Sequence, residues 1–265
     1  MATVKDIYLF LDSKAPFNSQ LGFDNAGFLV GRGDRQVNRI LVALDITEQV
    51  AEEAAAVQAE LIVSHHPVIW DGAKSVTDET ILGRKLLALI TNNIAAICAH
   101  TNLDAAKGGV NDSLAAALGL TDTSLLKTYG IYQDGTPYGI EQVGTLPGTP
   151  VSLVEFAASV KARLGSNGVR YVDAGRPVHK VAVGGGSCSG SMKDVLAAGC
   201  DTFVTADVKY DGFLDAKAMG LNLIDAGHYP TENVVCPVLV SWLKEGFPEV
   251  EIMLSKCHKE VFSYL

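Results

Sequence analysis

The sequence lacks any apolar run near the ~20 residues that a membrane-spanning helix needs, since its longest run extends only from Val234 to Leu243. It has only 9 prolines in 265 residues, and 48% of the chain is hydrophobic against 19% charged, which excludes a disordered or collagen-like chain. No internal repeat or low-complexity tract is visible. These absences predict a globular protein with no membrane partner, built as one large domain or two smaller ones.

Positive charge and paired cysteines are also scarce. Lys and Arg total 21 against 30 Asp and Glu, and this net charge of −9 argues against a surface built to neutralise phosphates. The net charge does not exclude a local basic or metal-based site for anions, and it does not exclude nucleic acid as a partner. The 5 cysteines form no C-x-x-C pair, and Lys5, Asp6 and Asp12 interrupt the apolar N-terminal stretch. We therefore expect reduced thiols, no signal peptide and a cytoplasmic protein.

Short apolar runs alternate with helix-like segments, which is typical of βαβ units. The alternation covers residues 38–119, stops in a stretch rich in Gly, Pro and Thr, and resumes after residue 150. We predict an α/β fold of two lobes with mostly parallel or mixed sheets. Residues 1–125, completed by 226–265, form a metal-binding lobe in this interpretation, and residues 126–225 form the second lobe. Pro237 should kink the last helix or delay its start.

Four of the 6 histidines lie in three short polar segments, 64–67, 100–104 and 227–232, and each segment directly follows a predicted strand. Ligands of open parallel α/β sheets bind beyond the carboxyl ends of the strands, so the three segments can converge on one site. The adjacent His65 and His66 point in diverging directions, which suits two metal ions. Imidazoles combined with the carboxylates of Asp104 and Glu232 suit Zn²⁺, Fe²⁺ or Mn²⁺. Such a site stays electropositive and favours hydroxide, phosphate or carboxylate.

Each segment also has a purely structural interpretation. The histidine pair can be a hydrogen-bonded strand end, Asp104 can cap a loop, and Glu232 can complement a helix dipole. The joint occurrence of the three segments favours the metal site. The loop from Gly184 to Ser187 fits either a phosphate cradle or a plain tight turn, and Asp24 is interpreted as fixing a loop.

The chain resembles the Nif-three-like family, whose bacterial members are called dinuclear metal centre proteins or GTP cyclohydrolase 1 type 2 homologues. The resemblance runs through nearly the whole chain. It is carried by Phe23-Asp24-Asn25-Ala26-Gly27, Leu61-Ile62-Val63-Ser64-His65-His66-Pro67, Ala99-His100-Thr101-Asn102-Leu103-Asp104, Gly108-Gly109-Val110-Asn111, Gly184-Gly185-Gly186-Ser187 and Asp225-Ala226-Gly227-His228-Tyr229 with Glu232. Two positions depart from the family pattern, because Asp211 stands where the family usually has His and Ala206 where it has Gly.

The resemblance implies a dinuclear site with two divalent ions per chain. It implies His65 and Asp104 on one ion, His66 and His228 on the other, and Glu232 as the bridge. His100 would then lie nearby, either as a group that supports the ligands or as a catalytic proton carrier.

The resemblance also implies a toroidal homohexamer. Two functions fit it. The first is a metal-dependent hydrolase that acts on a nucleotide or another phosphate-bearing small molecule, similar to a GTP cyclohydrolase. The second is a non-catalytic metal-binding or scaffold protein that forms the same ring.

Overall fold

The structure, a computed structural model, describes residues 1–265 and confirms an α/β fold with mixed sheets. The helices are α1 (Val4–Lys14), α2 (Glu48–Ala56), α3 (Ile81–Thr91), α4 (Thr101–Ala105), α5 (Val110–Leu118), α6 (Leu153–Leu164), α7 (Met192–Ala197), α8 (Tyr210–Met219), α9 (His228–Glu232) and α10 (Cys236–Gly246). The strands are β1 (Gly27–Val30), β2 (Arg39–Ala43), β3 (Leu61–Ser64), β4 (Ala95–Cys98), β5 (Thr121–Leu125), β6 (Gly130–Ile131), β7 (Pro137–Tyr138), β8 (Gln142–Thr145), β9 (Arg170–Val172), β10 (Lys180–Val183), β11 (Thr202–Thr205), β12 (Asn222–Asp225) and β13 (Glu251–Leu254).

The chain divides into two compact units, and both are discontinuous in sequence. The first unit comprises Met1–Leu103 and Cys236–Lys259, and the second comprises Asp104–Val235 and Glu260–Leu265. These bounds differ from the expected lobes 1–125 with 226–265 and 126–225. Helix α5 packs into a core of the second unit through Leu114 and Leu118, which moves the boundary towards the N-terminus. As a result, α9 with His228 and Glu232 belongs to the second unit and not to the first.

The first unit contains a five-stranded sheet in the order β1-β4-β3-β2-β13. Strands β4, β3, β2 and β13 are parallel, and only β1 runs antiparallel, against β4. Every residue of β3 and β4 is buried, as expected for strands that are covered on both faces. Helices α2 and α3 supply part of this core through Val50, Ala54 and Leu89. The four parallel strands therefore end at the same edge of the sheet.

The second unit contains a six-stranded sheet in the order β5-β8-β10-β11-β12-β9. Only β10, β11 and β12 are parallel to one another. Successive residues of these strands alternate between two cores, because Val204 packs in the core with α5 and α6, whereas Phe203 packs in the core with α7 and α8. Burial of both faces explains why the middle residues of these strands are apolar.

Several local expectations change in the structure. The stretch between Thr121 and Pro150, interpreted from sequence as a boundary, contains strands β5 to β8. Pro237 falls in the first turn of α10, where no intrahelical N–H bond is lost, so the chain forms α9 and a short 3₁₀ turn before α10 begins. No disulfide joins the 5 cysteines. No helix has both the length and the apolar character needed to cross a membrane.

Candidate metal centre

In the first unit, polar side chains follow each of the four parallel strands at their carboxyl ends. His100 follows β4, His65 and His66 follow β3, Asp45 follows β2, and His258 follows β13. Because these strands are neighbours in the sheet, groups that are far apart in sequence are brought to one edge. The expected convergence of His65 with His100 is therefore observed within this unit.

Three imidazoles of the first unit form a group that could hold a metal ion. The ligand atoms of His65, His66 and His100 lie within 4.8 Å of one another. His65 is fully buried, and the side chains of His66 and His100 are only 14% and 11% exposed. The indole of Trp70 packs against the His100 ring at a centroid distance of 5.0 Å and covers it in part. The group is therefore largely removed from bulk water.

Each of these imidazoles is held through its Nδ1 atom. His65 Nδ1 donates to the carbonyl of Ala99 at 2.8 Å, and His66 Nδ1 donates to Asp45 Oδ1 at 2.8 Å. His100 Nδ1 donates to Asp24 Oδ1, also at 2.8 Å. Since each acceptor fixes the proton on Nδ1, the neutral ring presents Nε2 as its lone-pair donor, as metal-binding histidines commonly do. The ring tautomers therefore fit metal binding.

The two carboxylates that hold these rings are kept ionised. Burial alone would raise the pKa of Asp24, but hydrogen bonds from His100 and from the side chain and amide of Thr101 lower it to about 2. Burial likewise opposes ionisation of Asp45, and hydrogen bonds from His258 and His66 hold its pKa well below the usual range. A carboxylate behind an imidazole orients the ring and makes it a more basic ligand.

The second unit repeats this arrangement around His228. His228 Nδ1 donates to Asp207 Oδ2 at 2.7 Å, and His228 Nε2 lies 2.9 Å from Glu232 Oε2. Asp207 follows β11 and His228 follows β12, which are neighbouring parallel strands. Asp207 has a φ of 51°, a left-handed conformation that is uncommon for a residue other than glycine. This strained position directs its carboxylate towards the imidazole.

The glycine loop after β10 makes room for Glu232. A Cβ atom on Gly186, whose φ is +61°, would lie 2.1 Å from Glu232 Oε1. The amide of Gly185 donates to Asn111 Oδ1 at 2.8 Å, and the amide of Gly186 donates to Thr231 Oγ1 at 3.0 Å. Because these amides donate to side chains of the protein, the geometry supports the tight turn and not the phosphate cradle.

The second unit also brings two buried carboxylates together. Asp104 and Glu232 are 8% and 3% exposed, and their ligand oxygens lie within 4.8 Å of each other. Burial raises the pKa of the nearby Cys188 thiol well above its ordinary value, and the charges of Glu141, Asp104 and Glu232 add to this effect. Placing like charges this close in a buried site is costly, and a bound cation offsets that cost.

In the structure each unit brings together side chains that could hold a metal ion. His65, His66 and His100 are grouped in the first unit, and Asp104, His228 and Glu232 are grouped in the second. Asp211 is exposed in the first turn of α8.

Sequence reasoning missed three supporting residues, Asp45, Asp207 and His258. Each lies shortly after a strand, which is a usable signal. Their partners, however, depend on strand order.

The chain is similar to proteins of one known family. The family model Duf34/NIF3 (NGG1p interacting factor 3) matches residues 2–261. A Clostridium perfringens protein named "GTP cyclohydrolase 1 type 2 homolog" is 36% identical over 268 residues, covering 99% of each chain. The structure of a Bacillus cereus protein related to NIF3 matches with a TM-score of 0.93 at 25% identity, covering 100% of this chain and 99% of that one.

Another solved structure, reduced HcgD from Methanocaldococcus jannaschii, matches with a TM-score of 0.80 at 28% identity. It covers 96% of this chain and 98% of that chain. The match of the family model to almost every residue, together with a relative of this identity and coverage, is decisive. The chain belongs to the Duf34/NIF3 family.

Proposed function

We propose that the protein binds two divalent metal ions and acts as a metal-dependent hydrolase on a nucleotide or a related phosphate-bearing small molecule. In this proposal His65, His66, Asp104, His228 and Glu232 would supply the ligands of the ions. The ions are Zn²⁺, Fe²⁺ or Mn²⁺, which accept imidazole and carboxylate ligands. The relatives named "GTP cyclohydrolase 1 type 2 homolog" support a nucleotide as the substrate.

One observation carries the metal-binding part of the proposal. His65 and His66 each donate through Nδ1 to a carbonyl or a carboxylate, and this leaves Nε2 as the ligand atom. His228 likewise donates through Nδ1 to Asp207, and its Nε2 lies beside Glu232 Oε2 at 2.9 Å. Histidines that merely close a strand end would not need the same tautomer. The consistent choice of Nδ1 is the pattern that metal-binding histidines show.

The proposed chemistry divides between the ions and the chain. Two divalent ions, when bound, lower the pKa of water and stabilise charge that develops on a carbonyl or phosphoryl oxygen. His100 is the proposed proton carrier at its Nε2, because Asp24 holds its Nδ1 proton at 2.8 Å. Trp70 packs against this imidazole and keeps water from part of its surface. Buried Asp104 and Glu232 contribute ligand oxygens and negative charge.

Metal analysis tests the ligand assignment. We expect about two transition-metal ions per chain in purified protein and a loss of more than ~100-fold in affinity for His65→Ala and for Glu232→Ala, since each removes a direct ligand. His179→Ala is the matched control, because His179 is exposed and its amide, not its ring, makes the hydrogen bonds to Asp201. Metal-free protein, or full metal content in both ligand variants, would contradict the assignment.

A substrate screen tests the catalytic part. We expect metal-reconstituted protein to turn over at least one member of a panel of nucleoside triphosphates, phosphodiesters and cyclic amides, and metal-stripped protein to turn over none. His100→Gln should lower kcat while metal content stays the same. If the ions bind and no substrate turns over, the non-catalytic metal-binding or scaffold function replaces the hydrolase.

The same proposal includes a homohexameric ring. Light scattering coupled to size-exclusion chromatography measures the mass of the particle directly. The expected mass is six times that of the 28.0 kDa chain. A monomer or dimer at micromolar concentration would contradict it.

A further inference from the structure

The segment after β13 carries His258, whose ring lies beside Asp45. His258 Nε2 lies 2.9 Å from Asp45 Oδ2 and 3.2 Å from the amide nitrogen of Asp45, while Asp45 Oδ1 accepts from His66 Nδ1 at 2.8 Å. The carboxylate of Asp45 therefore contacts two imidazoles that lie 192 positions apart in the sequence. The side chain of His258 is only 7% exposed.

The sheet order explains how these three groups meet. Strands β3, β2 and β13 are consecutive parallel neighbours, so their carboxyl ends carry His66, Asp45 and His258 in the same spatial order. Each residue follows the end of its own strand. The hydrogen-bonded chain thus extends along the edge of the sheet, one strand at a time.

The segment that carries His258 is itself anchored. Ser255 Oγ donates to Glu53 Oε2 at 2.5 Å, and the amide of Lys256 donates to Glu53 Oε1 at 2.8 Å. The amide of His258 in turn donates to Ser255 Oγ at 3.3 Å. These hydrogen bonds hold the segment in place and fix the direction of the His258 ring. A surface tail with no role at the site would not need them.

We propose that His258 is a positioning residue that holds the Asp45 carboxylate against His66 and thereby sets the orientation of the His66 Nε2 ligand atom. The inference rests on the proposed metal site, and it adds a residue of the C-terminal segment to that site. His258 acts only through Asp45. Its removal leaves Asp45 free to rotate, and His66 then loses its fixed tautomer and direction.

The expected size of the effect follows from exposure. Groups that orient a metal ligand typically contribute ~10–100-fold to affinity. The Asp45 side chain is 39% exposed, so water can replace His258 in part. We therefore expect the lower end of that range, about tenfold.

Titration with Zn²⁺ against a competing chelator tests the inference on the full-length chain. His258→Ala should weaken the binding of one ion about tenfold and leave the other ion unchanged. His258→Gln should restore most of the affinity, because the amide nitrogen of Gln can donate from the position of Nε2. His179→Ala, at an exposed histidine, should match the wild-type protein.

Two further measurements separate positioning from a general loss of structure. The double variant Asp45→Ala/His258→Ala should bind no more weakly than Asp45→Ala alone, since one residue acts through the other. The visible spectrum of the Co²⁺-loaded protein should change in His258→Ala, whereas the thermal midpoint of the metal-free protein should not fall below that of His258→Gln. Equal Zn²⁺ affinity in wild type and His258→Ala would overturn the inference alone. Absence of Zn²⁺ binding in the wild-type protein would overturn the proposed function as well.

Discussion

The two units differ in how they place side chains that could hold a metal ion and in the donor atoms that these side chains supply. In the first unit the groups follow neighbouring parallel strands at one edge of the sheet, whereas in the second unit His228 and Glu232 lie on α9 and Asp104 lies on α4. The first unit presents three imidazoles, His65, His66 and His100, whereas the second presents the paired carboxylates Asp104 and Glu232 with a single imidazole. Strand order thus decides which groups meet, and loop sequence decides whether nitrogen or oxygen is offered.

The units also differ in how their histidines are supported. Asp24, behind His100, has a fully buried side chain, whereas Asp207, behind His228, is 54% exposed. Burial strengthens a charge-assisted hydrogen bond because less water competes for the partners. Asp24 therefore holds the ring of His100 more firmly than Asp207 holds the ring of His228.

The largest expected effect is in the second unit. Gly186→Ala would place a methyl group 2.1 Å from Glu232 Oε1 and force that carboxylate to move. Metal titration should show a loss similar to that of Glu232→Ala, together with about 1–3 kcal/mol of backbone strain in the free energy of unfolding.

Gly165→Ala is the control for this change, because Gly165 has a similar φ of +63° and no atom within 4 Å of the added Cβ. It should reproduce the strain and leave metal affinity intact. If Gly165→Ala lost as much metal as Gly186→Ala, the space that Glu232 needs would not explain the glycine at position 186.

An intermediate effect is expected for the carboxylates behind the rings. Asp24→Asn should lower the free energy of unfolding of the metal-free protein at pH 7 by about 2 kcal/mol, since the pKa of Asp24 falls from 3.8 to about 2 on folding. Because the folded-state pKa is the lower one, this contribution is complete above pH ~4 and is lost as the pH falls towards 2. Denaturant unfolding at several pH values measures it.

Asp207→Asn is the matched change in the second unit. The exposed pair of Asp207 with His228 should contribute no more than ~0.5 kcal/mol. Equal losses in the free energy of unfolding for Asp24→Asn and Asp207→Asn would show that burial of the carboxylate behind the ring does not change its contribution.

The smallest effect is expected at a departure from the family pattern. Asp211 is exposed in the first turn of α8, where a carboxylate complements the helix dipole. Asp211→His should cost about 0.3–1 kcal/mol in the free energy of unfolding and leave metal content unchanged. A gain of metal or of turnover would show that the family's histidine has a role that this chain lacks.

Much of the fold was predictable from sequence because short apolar runs mark the buried strands. Strands β2, β3 and β4 lie within residues 38–119, where the alternation of apolar runs and helix-like segments was expected. Strands β5 to β8 were missed, since they are short and rich in Gly, Thr and Asp, and tertiary pairing rather than propensity forms them. The compact units have other bounds than the expected lobes, because the packing partner of α5 is not encoded in its own periodicity.

The sequence predicted side chains that the structure groups together, and not the residues that support them. Histidines and acids placed after predicted strands pointed to His65, His66, Asp104, His228 and Glu232, and their roles as metal ligands stay a prediction. The acids behind the rings were not assigned their partners, because Asp24 and His100 are 76 positions apart and meet only in the folded chain.

The sequence by itself determined the α/β class, the strand ends that carry polar groups and the family to which the chain belongs, because these depend on local periodicity and short motifs. The tertiary structure alone decided the tautomers of the histidines, the reason for Gly186 and the contact of His258 with Asp45. These depend on which strands are neighbours in a sheet, and strand order follows from long-range packing that no local pattern records.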